Sequence, residues 1–211
     1  MNTIIESIKK DVESLFNKDS SGHDYFHTLR VFNNALNISK TMRCNTYIIS
    51  LSALLHDVDD PKLFNTVNYK NARDIMSKYD IDLETQETII EIIKNISFKG
   101  DGKSKPSSLE GQIVQDADRL DALGAIGIAR AFAYGGSHNR KMYDPNIKPT
   151  TFKDEKDYHS SKGTTINHFY EKLLKLEDLM NTKEAKDIAH KRTTYLKEFL
   201  NEFFDEWDGN K

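Results

Sequence analysis

Cysteine is almost missing from this chain. Cys44 is the one example in 211 residues, so no internal disulfide can form and no thiolate cluster can hold a metal. A single cysteine of this kind reads as a small buried hydrophobe. A basic excess is missing too. Thirty Lys and Arg face 33 Asp and Glu for a net charge of −3, which argues against nucleic acid as a partner. No apolar run reaches the length of a membrane span, so no membrane association is expected. Glu6, Asp11 and Glu13 interrupt the apolar residues between Met1 and Phe16, and that stretch reads as an amphipathic helix rather than a leader. The expected compartment is the cytoplasm. There is also no internal repeat, no low-complexity tract and no convincing alternating strand.

What remains is helical period. Ile4, Ile5, Ile8, Val12 and Leu15-Phe16 form one stripe. A second helix is expected from about Gly22 to Thr41, and a third, apolar on most sides, from near Tyr47 to Leu55. Pro61 blocks continuation, and Asp59-Asp60-Pro61-Lys62 reads as a turn. Helices from about Tyr69 to Tyr79 and from Leu83 to Ile96 follow, then a loop from Lys99 to Ser108. Leu109 to Tyr134 reads as one long helix. Gly135 to Gly163 is long, polar and aperiodic, which suits a lid or binding loop. Two amphipathic helices, about Thr165–Met180 and Lys183–Trp207, close the chain. The expectation is an all-α, single-domain helical bundle over residues 1–211.

Three groups of polar residues sit where burial would be costly. The buried third helix ends in His56-Asp57. A divalent ion is the simplest partner for an imidazole beside a carboxylate there, though an ordinary helix cap would also suit them. His23, His27, Arg30 and Asn34 are spaced by four, three and four, so they share one helix face, and that face could equally be a solvated one. Asp116, Asp118 and Asp121 lie inside an otherwise core-like helix. Asp118 and Asp121 can share a face, and salt bridges to neighbours such as Arg119 are the competing explanation.

In order, these pieces resemble the HD-domain phosphohydrolase superfamily, whose pattern is His, then His-Asp, then Asp. His27-Thr28-Leu29-Arg30-Val31 looks like its histidine-helix motif and Leu54-Leu55-His56-Asp57 like its signature pair. Gln115 through Gly124 and on to Tyr134-Gly135-Gly136, Asn167 to Leu174, and Phe199 to Trp207 resemble a small bacterial subgroup similar to nucleoside triphosphate pyrophosphohydrolases. The resemblance implies an HD-type helical domain with His27, His56, Asp57 and Asp118 as metal ligands. Two imidazoles and two carboxylates suit a divalent ion such as Mn, Ni, Co, Fe or Zn better than Ca²⁺, and Mn is favoured. It points to Asp60 as the carboxylate that positions or activates water, with Asp59 the competitor. Lys62 and Lys99 are candidate phosphate contacts, His23 a candidate substrate contact, and Asp121 a candidate support behind a ligand.

The implied activity is hydrolysis of a small-molecule nucleotide, a nucleoside or deoxynucleoside triphosphate giving a monophosphate and pyrophosphate. A nucleoside monophosphate phosphatase and a non-catalytic, metal-containing nucleotide-binding module are the alternatives. Pro61 counts against an alarmone hydrolase, which carries a second acid at that offset. A homodimer is compatible with the pattern.

Overall fold

The computed structural model describes residues 2–16, 24–61, 63–96, 105–151 and 163–211. Among them there is no strand, and the chain is all-α. The helices are α1 (Asn2–Phe16), α2 (Tyr25–Ser39), α3 (Thr46–Leu55), α4 (Lys70–Ser77), α5 (Leu83–Ile96), α6 (Leu109–Asp121), α7 (Gly124–Ser137), α8 (Thr165–Glu171) and α9 (Lys183–Trp207), with 3₁₀ turns at Leu173–Lys175 and Glu177–Leu179. Two compact units emerge: Met1–Phe98 with Ser104–Asp118, and Lys99–Lys103 with Arg119–Lys211.

In the first unit α3 is the central element. It packs on α1, α2 and α5, and every residue from Ile48 to Leu55 is buried. A helix hydrophobic all round must be enclosed, which is why its C-terminus delivers side chains into an interior. Its start is set by Asn45, whose side chain accepts from the amides of Tyr47 and Ile48. Asp24 does the same for α2 by accepting from the His27 amide at 2.8 Å, as an N-cap should. The fully buried Gln115 donates from α6 to the carbonyls of Asn95 (3.1 Å) and Ile96 (3.4 Å) at the end of α5. Those carbonyls have no helical donor of their own.

In the second unit α7 packs on α8 and α9. Phe169 stacks on Phe199, and Phe132 meets Phe199 edge-on and Phe169 at a tilt. Tyr143, Phe203, Phe204 and Trp207 form a further aromatic cluster. The side chains of Thr164 and Thr182 cap α8 and α9.

Two expected helices differ. The stretch Leu109–Tyr134 is broken at Ala122-Leu123, where Leu123 is extended and Gly124 has φ +70. Arg192 lies over the break: its Nη1 donates to the Leu120 carbonyl at 2.6 Å, and its stem fills the space a Gly124 side chain would need. Thr165–Met180 likewise winds as α8 and two 3₁₀ turns. Arg119 donates to the Leu179 carbonyl, and Glu177 pairs with His190 at 2.9 Å. The expected loop from Gly135 begins later, because α7 runs to Ser137. Its middle, 152–162, lies outside the described residues, and so does Lys99 to 104 of the preceding loop. No helix among the described residues is long and apolar enough to cross a membrane.

Candidate metal centre

Three elements of the first unit bring four donors together. His27 stands in the first turn of α2 and is 1% exposed. His56 is the residue on which α3 ends, and Asp57 follows in the turn. Asp118 comes from α6. The Nε2 atoms of His27 and His56 are 3.3 Å apart. Asp57 Oδ2 lies 3.4 Å from the first and 3.3 Å from the second, while Asp118 Oδ1 lies 3.5 and 4.0 Å away. The Asp118 side chain is 31% exposed against 14% for Asp57, so the cluster opens on the Asp118 side.

His56 Nδ1 donates to the Ala53 carbonyl at 2.9 Å. In the neutral ring this keeps the proton on Nδ1 and turns the Nε2 lone pair toward His27, the arrangement metal-ligating histidines use. Burial by itself lowers the His56 pKa. The charge and hydrogen bond of Asp57, the charge of Asp118 and the Ala53 carbonyl reverse that and hold it up to about 9. The pocket thus stabilises positive charge at this spot, and a divalent ion is the natural replacement for the proton.

The spacings fit such an ion. Donors about 2.1 Å from one metal stand about 3.0 Å apart when adjacent and about 4.2 Å apart when opposite. The observed separations of 3.3 to 4.0 Å fall within those limits. His27, His56 and Asp118 each offer one ligand atom, all within 4.8 Å of one another, and Asp57 adds a second carboxylate beside both histidines. The set carries nitrogen and oxygen donors without sulfur, which suits the borderline divalent ions.

The other acidic residues singled out in the sequence have separable surroundings. Asp59 accepts from the amides of Asn71 (3.0 Å) and Ala72 (2.9 Å) through its two oxygens and so caps α4. Asp60 lies in the turn after Asp57, its amide donating to the Asp57 carbonyl at 3.1 Å and its own carbonyl accepting from Leu63 and Phe64. Asp121, nearly fully buried, pairs with Arg130 at 2.7 Å in the second unit. Of the remaining candidates, His23, Lys62 and Lys99 lie outside the described residues. Two contributions were not anticipated. The cap by Asp24 was legible, since Asp followed three residues later by a helical amide is a start signal. The Ala53 carbonyl carries no side-chain signal at all.

Comparisons with known proteins bear on the family of the chain. A family model described as HD domain matches residues 24–123, a span that contains all four donors. The uncharacterized protein YpgQ of Bacillus subtilis is 36% identical over 199 residues, covering 92% of this chain and 89% of that one. Its crystal structure in complex with ADP aligns over 96% of this chain and 97% of that one, with a TM-score of 0.77 and 31% identity. An HD-superfamily hydrolase from Bacillus thuringiensis is 42% identical, covering 97% and 96%, at a TM-score of 0.76. A Lactobacillus plantarum protein is 39% identical, covering 99% and 98%, at 0.87.

Proposed function

This chain belongs to the HD-domain family of metal-dependent phosphohydrolases, and on that premise we propose that it cleaves nucleoside or deoxynucleoside triphosphates to a monophosphate and pyrophosphate, with Mn²⁺ as the favoured ion. The observation that supports the metal side of this reading is the close approach of the Asp57 and Asp118 carboxylates to the paired imidazoles of His27 and His56. Support for a nucleotide comes from the relative that binds ADP. A divalent ion in that place supplies polarisation of a phosphoryl oxygen and a lowered pKa for the attacking water.

The chain's own residues do the rest. His27 and His56 offer fixed nitrogens because a cap and a carbonyl hold their backbones and rings. Asp57 and Asp118 supply negative charge to offset the ion's. We assign the proton of the attacking water to the Asp60 carboxylate. The water oxygen bonds to the α-phosphorus, the bond from that phosphorus to the α–β bridging oxygen breaks, and pyrophosphate leaves with the bridging oxygen. Asp59 is the less suited competitor, since both its oxygens already accept amide hydrogen bonds at the start of α4. Lys62, Lys99 and His23 remain the candidate substrate contacts, and Asp121 the candidate support behind the ligands.

The test is a panel of ribo- and deoxyribonucleotides incubated with the full chain and Mn²⁺, with products resolved by phosphorus NMR. The reading expects pyrophosphate and a monophosphate in equal amounts from triphosphates. Orthophosphate from monophosphates, with triphosphates untouched, would replace it by the phosphomonoesterase reading.

A further inference from the structure

Of the four donors, Asp118 is held least directly. Asp57 is tied to His56 by the chain itself, whereas Asp118 reaches the histidines from another helix. Its Oδ1 stands farther from the two Nε2 atoms than Asp57 Oδ2 does, and its side chain is the most exposed of the four. Something must set how far α6 stands from α2. Asn34 lies seven residues, about two helical turns, after His27 and so on the same face of α2. Its Nδ2 donates at 3.4 Å to the carbonyl of Ala117, the buried residue immediately before Asp118 and eighty-three positions away in the chain. A helical carbonyl has a second lone pair to accept such a bond. Asp24 pins the start of the same helix to the His27 amide. One face of α2 thus presents a ligand at one end and a clamp on the neighbouring ligand's peptide at the other.

We propose that Asn34 is a positioning residue of the metal centre, whose amide fixes the reach of Asp118 toward His27 and His56 by holding the Ala117 carbonyl. This rests on the metal reading above and assigns a role that none of the four ligands supplies. The role assigned to Asn34 runs through the Ala117 carbonyl rather than through ligation. Its loss acts through the placement of Asp118.

The experiment is a double-mutant cycle on the full chain with Co²⁺ alone as the probe, read by binding titration and by the visible spectrum of the bound ion. Asn34→Ala is expected to weaken Co²⁺ binding about 10- to 100-fold, the usual scale for losing a partner of a ligand. The band pattern should move toward that of Asp118→Ala. In the Asp118→Ala background the same change should cost less than about twofold, because coupled residues are not additive. Asn34→Leu, which keeps bulk and removes the donor, should behave as Asn34→Ala does. Equal losses in both backgrounds, an unshifted spectrum or unchanged affinity would overturn the proposal. So would metal-free Asn34→Ala and Asn34→Leu both being unfolded, since Asn34 would then serve the fold rather than the site. Wild-type protein that takes up no Co²⁺ would instead remove the metal reading on which this stands, a result distinct from any difference among variants.

Discussion

At the scale of single residues, neighbouring carboxylates after α3 divide the work. Asp57 faces two histidines, Asp59 caps α4, and Asp60 is the one to which we assign the water's proton. Substitution separates these. Asp60→Asn should keep the ion and lose turnover by about two to four orders of magnitude, the scale of lost general-base help. Asp59→Ala should leave kcat as it is and lower stability by about 1 kcal/mol, as loss of a cap does. Metal analysis, a urea midpoint and turnover at saturating substrate on one preparation distinguish the two. A fully active Asp60→Asn protein would move the proton to another acceptor. The candidate ligands could be picked out because His-Asp at the end of an apolar run is an unusual sequence event, and the structure places those side chains near one another. The capping contacts of Asp59 could not, because Asp59 meets its partners across the turn at Asn71 and Ala72.

At the scale of elements, periodicity gave what is local. The expected bounds of Leu83–Ile96 and Lys183–Trp207 are those observed. It failed where distant residues decide. An Ala- and Gly-rich stretch is compatible with one continuous helix, and the break before Gly124 depends on Arg192 from α9. The 3₁₀ turns after α8 similarly answer to Arg119 and His190. Gly124 adopts φ +70, a region that costs a residue with a Cβ roughly 1–2 kcal/mol, and an added Cβ would stand 3.2 Å from Arg192 Cγ. Gly124→Ala should therefore lower the unfolding free energy by about 1–2 kcal/mol or more, although alanine is the better helix former. A urea titration showing a neutral or stabilising effect would mean that the chain does not turn there as described.

At the scale of the whole molecule, pH tests the second unit and metal tests the claim of function. Burial, with Lys172 and Arg140 nearby, pushes the His168 pKa down to about 3, from 6.5 in the unfolded chain. Between those values the unfolded state binds a proton that the folded state does not. Stability from this residue is complete above about pH 6.5 and falls as the pH drops, by up to about 1.4 kcal/mol per unit. His168→Gln should flatten the stability curve between pH 6 and 4 relative to the parent, as read from urea midpoints. An unchanged slope would show that His168 titrates normally. The most direct measurement of the central claim is pyrophosphate release from a deoxynucleoside triphosphate by metal-stripped protein as Mn²⁺ is added back, with Asp118→Ala run beside the parent. The account predicts no release without metal, recovery that saturates as the ion binds, and a variant that needs far more Mn²⁺ and stays slow. Full release by the stripped protein, or an Asp118→Ala curve that overlays the parent, would contradict it.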